Sequence, residues 1–132
     1  MACFIAALVI GAFAEGGAWL LGLWTYRSAR LRMVNILVVF GLIQGFGVGW
    51  IIGGRHAMGG VFPVLFMVGA VLGLLVEGLN EYWLRAWSWS PRPLLGIARS
   101  IDKAAFVGVA WGFAPLATVI LAKLIMTTSR GA

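Results

Sequence analysis

Glu15 and Glu77 stand inside long apolar runs of the chain. An ionisable group at membrane depth is costly, and it is by default a candidate for binding or proton-linked chemistry. Glu15 precedes Trp24 by nine residues, which on a continuous helix is about 13 Å. That depth is close to the middle of a hydrocarbon core of ~30 Å. Glu77 holds the matching place in a later run, nearer the interface. Gly11 and Trp19 share the Glu15 face of a helix, and Gly73, Glu77, Asn80 and Glu81 share another, with Glu81 spaced to pair with Arg85. With Gln44 from the second run, the spacing predicts an internal polar cluster of Glu15, Gln44, Glu77 and Asn80. Its members are candidates either for proton-linked binding or for hydrogen bonding that fixes helix register.

Other chemistries find few ligands. His56 is the sole histidine and Cys3 the sole cysteine, so neither an intrachain disulfide nor a haem or zinc site built from this chain is expected. No Glu-x-x-His pair accompanies the glutamates to make a carboxylate-bridged metal site. No Ser-His-Asp set or phosphate-binding loop is present. No cofactor is indicated, and a bound lipid fits the composition.

The elements that must carry these residues follow from composition. Of 132 residues, 62% are hydrophobic and 11% charged, with mean hydropathy +1.01. Soluble domains carry about 25% charged residues, so a soluble monomer is excluded, as is disorder. The expectation is an all-α integral membrane protein, a single domain over 1–132. Its four spans are expected at about 2–24, 33–53, 60–80 and 104–122, each near the ~20 residues that cross a bilayer. Strands are not expected in these runs, because sustained alternation is lacking. Ala12-Phe13-Ala14 resembles a signal cleavage site, but no basic stretch precedes it and the apolar run continues to Trp24, so a retained signal-anchor helix is expected.

The net charge is +6, and the loops after the first and third runs hold seven of the ten basic residues. The positive-inside rule then places both loops in the cytoplasm and both termini outside, in a plasma membrane of the bacterial inner-membrane kind. Interfacial anchors are expected at Trp24, Trp83, Trp87, Trp89 and Arg92. The interfacial loop, at about 84–102, is expected to be ordered, with a short in-plane helix over 94–101. The partners expected are the lipid bilayer and either further copies or other membrane subunits. Nucleic acid is not among them, because the chain has no basic polar domain to bind it.

An internal match supports a tandem repeat of two helix hairpins. Gly11, Glu15 and Gly16 match Gly73, Glu77 and Gly78; Trp24-Thr25-Tyr26 matches Trp87-Ser88-Trp89; Gly45 and Gly49 match Gly108 and Gly112. Gly41, Gly45, Gly49, Gly108 and Gly112 are the expected helix-packing positions, of the GxxxG kind. Pro115 removes one helix hydrogen bond and leaves the Trp111 carbonyl needing another partner. In size, span number and a glutamate within the first helix the chain resembles the small multidrug-resistance transporters. It lacks their lysine a few residues after the glutamate and has a longer third loop, so membership is not assigned.

Three functions fit these features. The foremost is a non-enzymatic subunit of a larger membrane assembly. The others are a minimal proton- or cation-coupled transporter using Glu15 and Glu77, and an acid–base enzyme acting on a lipid or isoprenoid.

Overall fold

The structure, a computed structural model, describes residues 1–53, 60–90 and 100–129, with side chains from 103 onward in the last segment. It is mostly helical: α1 (Ala2–Leu20), β1 (Trp24–Tyr26), α2 (Ala29–Gly53), α3 (Val61–Leu84), β2 (Trp87–Trp89) and α4 (Ser100–Thr128). Four helices are long and apolar enough to cross a membrane: Ala2–Leu20, Ala29–Gly53, Val61–Leu84 and Lys103–Thr128. The interfacial loop expected at about 84–102 falls largely, with Arg92, outside the described residues.

The first helix stops earlier than its apolar run because of Gly22. This residue takes a left-handed conformation at φ 61°. The Gly22 amide donates to the Trp19 carbonyl and the Leu23 amide to the Ala18 carbonyl, a Schellman ending that costs little at glycine. The third helix ends in a similar way, but at Arg85, φ 46°. The Arg85 amide bonds to the Asn80 carbonyl. Within α2 and at the end of α3 the helix widens to i→i+5 bonding, over Asn35–Phe46 and Asn80–Leu84. The side chain of Ser28 caps α2 by accepting from the Leu31 amide.

Two residues after each left-handed turn a three-residue strand begins. β1 and β2 pair antiparallel, with Trp24 opposite Trp89, Thr25 opposite Ser88 and Tyr26 opposite Trp87. The Ser90 amide to the Leu23 carbonyl and the Arg27 amide to the Ala86 carbonyl extend the pairing at both ends. This two-stranded element corrects the purely helical reading. Alternation over three residues is too short a pattern to register in a sequence, yet it puts Trp24, Tyr26, Trp87 and Trp89 on one face and Thr25 and Ser88 on the other.

Helix α1 packs against both α2 and α4, and α4 also packs along α3. Val48, Val61, Leu65 and Val119 form a core at the end far from the strands. Glycines set the close approaches. A Cβ on Gly11 would lie 2.6 Å from the Phe40 ring, and one on Gly73 would overlap the Trp111 indole. Gly41 meets Leu8 and Phe4, Gly45 meets the Phe4 backbone, and Gly112 meets the Phe66 ring. Gly49 is in ordinary contact with Cys3, while Gly108 has nothing near it. The Trp111 carbonyl, which Pro115 leaves without its helix donor, lies against Gly69. Phe40-Gly41 and Trp111-Gly112 therefore occupy matching places over Gly11 and Gly73, and their rings stack at 4.9 Å. Gly45 and Gly108, expected to match, have unlike surroundings, Gly45 against the Phe4 backbone and Gly108 with nothing within 4 Å.

Candidate functional site: two carboxylates held by aromatic donors

Glu15 is 4% exposed and Glu77 is 8% exposed. Each accepts two hydrogen bonds from the inner face of the strand pair. At Glu15, Trp24 Nε1 donates at 3.1 Å to Oε2 and the Tyr26 hydroxyl at 2.6 Å to Oε1. At Glu77, Trp87 Nε1 donates at 3.1 Å to Oε2 and Trp89 Nε1 at 2.6 Å to Oε1. The rings interlock as well, Trp24 with Trp89 at 5.2 Å and Tyr26 with Trp87 at 5.5 Å.

The remaining partners differ. Asn35 Nδ2 donates to Glu15 Oε1 at 2.7 Å and to the Tyr26 hydroxyl at 3.0 Å. All three donors to Glu15 are neutral, and no cation pairs with it among the described residues. Glu77 instead has Lys103 Nζ 3.5 Å from Oε1, and the same ammonium donates to Glu81 Oε2 at 2.9 Å. Burial, and then the adjacent Glu15 carboxylate, push the Tyr26 phenol above its ordinary value, so it remains an O–H donor.

Several expectations change. The expected four-residue cluster divides. Gln44 lies away from the glutamates and donates to Thr118 Oγ1 at 2.8 Å. The Thr118 hydroxyl in turn donates to the Ala114 carbonyl. Asn80 caps the end of α3: its Oδ1 accepts from the Ala86 and Trp87 amides, and its Nδ2 donates to the Trp87 carbonyl. Glu81 pairs with Lys103 and not with Arg85, because Arg85 has left the helix path that would put it one turn on. Glu15 also lies much nearer the Trp24 ring than nine residues of continuous helix would put it, since the chain reverses at Gly22 and brings Trp24 back onto it. Trp24, Trp87 and Trp89 give their indole N–H groups to the carboxylates, while Trp83 is exposed on the last turn of α3.

Tyr26, Asn35, Lys103 and Thr118 were not singled out by the sequence. The available signal was the recurrence of W-x-Y and W-x-W after matched glutamates, read there as an internal repeat with the tryptophans as interfacial anchors. A cavity of about 80 Å³ lies beneath the strands, lined by Glu15, Asn35 and the rings of Trp24, Tyr26, Phe40, Trp87, Trp89 and Trp111 among others. An outer cleft shares Glu15, Trp24 and Tyr26 with it and adds Trp19, Ser28 and Arg32. No group of acidic, histidine or cysteine side chains suited to a metal ion occurs among the described residues. Compared with known proteins, the chain matches no family model, no curated protein and no solved structure.

Proposed function

We propose that this chain is an integral membrane protein that binds a lipophilic organic cation at Glu15, the binding centre of a minimal cation-coupled transporter. In this reading the four apolar helices cross a bacterial inner membrane. The strand pair lies at the cytoplasmic side, where the basic loops are, and both termini lie outside. The two hairpins are a tandem repeat, as the matched glutamates, left-handed turns and strands suggest.

The observation that carries the proposal is the Glu15 carboxylate itself: buried, supported by neutral donors, without an ion partner among the described residues, and bordering a cavity of aromatic faces. A desolvated anion without a counter-charge is unfavourable, and aromatic faces attract cations. A cation in that cavity answers both. Its partners also suit a carboxylate whose charge is neutralised and restored. A phenol can donate or accept, and an amide offers both functions, so Tyr26 and Asn35 can adapt. Glu15, Trp24 and Tyr26 border both the inner cavity and the outer cleft, so motion of the strand pair would open the site toward the loops.

Four helices enclose little space, and the proposal includes self-association. Gly47, Gly53 and Gly108, where an added Cβ would meet nothing within 4 Å among the described residues, support it. A purely scaffolding subunit has no need of an uncompensated buried carboxylate. An acid–base enzyme that used one glutamate as acid and the other as base would need both at one substrate, whereas these engage separate donor sets.

Calorimetric titration of tetraalkylammonium ions into the protein in lipid nanodiscs tests the proposal. Saturable binding is expected in the wild type and should be lost in Glu15→Gln with helicity retained. Absence of binding to folded wild type, or equal binding by Glu15→Gln, overturns it.

A further inference from the structure

We infer that the cleft bounded by Glu77, Glu81 and Trp89 is a primary-ammonium site whose ligand is the chain's own Lys103. The Lys103 ammonium donates to Glu81 at 2.9 Å, stands 3.5 Å from Glu77 and lies 5.8 Å from the centre of the Trp89 ring. Those are the contacts a free alkylammonium would make: one charge-assisted hydrogen bond, a second carboxylate and an aromatic face. They come from three elements, α3, β2 and α4, so the cation joins parts that no single helix holds together.

Comparison with the other hairpin isolates the tether. Lys103 precedes Trp111 on α4 by the same number of residues as Arg32 precedes Phe40 on α2. Arg32 borders the outer cleft beside Glu15 yet forms no ion pair among the described residues. A tethered cation is thus engaged at the second carboxylate and stands off at the first. The Lys103 stem only delivers the charge, and n-butylammonium is its untethered equivalent. The same cleft is bordered by Arg27 and Arg85. Without the ammonium, two carboxylates would face two guanidinium groups, which leaves no net charge to repel an incoming cation. The inference does not rest on cation binding at Glu15, and the two are read on different variants with different ions.

The test uses Lys103→Ala in nanodiscs, with thermal unfolding followed by tryptophan fluorescence during titration with n-butylammonium. Sodium and potassium at equal ionic strength serve as controls. The variant is expected to unfold lower than wild type by about 4 °C or more. Butylammonium should restore at least half of that loss saturably, while the controls, the wild type and the Lys103→Ala/Glu77→Gln double variant show no such response. An unchanged midpoint, as when Arg27 or Arg85 takes over the carboxylates, overturns the inference. Equal restoration by the control ions does so too. Should the variant aggregate, a folded fraction that grows when butylammonium is present during solubilisation supports the site, and one that does not grow counts against it.

Discussion

The Glu15 and Glu77 sites use the same two aromatic bonds at matching distances, and they differ in what those donors can become. Trp87 and Trp89 offer only indole N–H groups, and Lys103 adds a charge, so every partner of Glu77 requires an acceptor. At Glu15 one indole is replaced by a phenol and the cation by an amide, both able to reverse their hydrogen bonding. One carboxylate is met by donors only, the other also by groups that can accept a hydrogen bond. The backbone repeats the contrast: Gly22 turns the chain at no steric cost, whereas Arg85 needs Asn80 to hold its turn.

The largest expected effect separates the two carboxylates. Glu77→Gln puts an amide N–H₂ against donors only, and should cost about 3 kcal/mol of stability. Glu15→Gln should cost less than about 1 kcal/mol, since Tyr26 and Asn35 can reorient and an uncompensated charge is removed. Unfolding midpoints of the two variants in nanodiscs check the order, and a reversed order breaks the comparison.

Asn80→Ala strips partners from the Ala86 and Trp87 backbone and should cost about 2–3 kcal/mol. The loss should appear as faster amide exchange confined to β2 and its turn. Gly73→Ala forces a methyl into the Trp111 indole and should cost about 2 kcal/mol. Gly16→Ala, with open space around it, should be neutral or slightly stabilising in the same assay.

Tyr26→Phe should cost about 1.5 kcal/mol through the lost bond to a carboxylate. It also carries a pH signature. The phenol is raised above its unfolded value of 10.0, so the unfolded chain loses that proton first and wild-type stability falls as pH rises past 10. Tyr26→Phe should lack that part of the alkaline decline, and melting curves at successive pH values measure it. One substitution at the turn should be a gain. Arg85→Gly relieves a left-handed arginine and should raise stability by about 0.5–1 kcal/mol.

Much of this was legible in the residues. Four apolar runs gave four helices, and the recurrence of Glu15 and Glu77 with W-x-Y and W-x-W fell on the segments that pair as strands and on the carboxylates they bond. The ends of the runs were less legible, because Leu21 to Trp24 are apolar enough to continue α1 and only the φ of Gly22 says otherwise. The inward aim of the four rings depends on pairing between strands far apart in the chain. Phe40 and Trp111 stack across two hairpins, a contact between distant segments that no spacing in the sequence signals. The Lys103 contact stayed hidden because it spans two helices with no common spacing.

The central claim is that Glu15 exchanges its partner and Glu77 does not. With the three glutamates carrying carboxyl-¹³C labels, assigned by single Glu→Gln variants, solid-state NMR in lipid can follow each carboxyl group as a tetraalkylammonium ion is added. The account predicts a saturable shift of the Glu15 carboxyl signal with Glu77 and Glu81 unmoved. A shift at Glu77 in place of Glu15, or no shift at either, would contradict it.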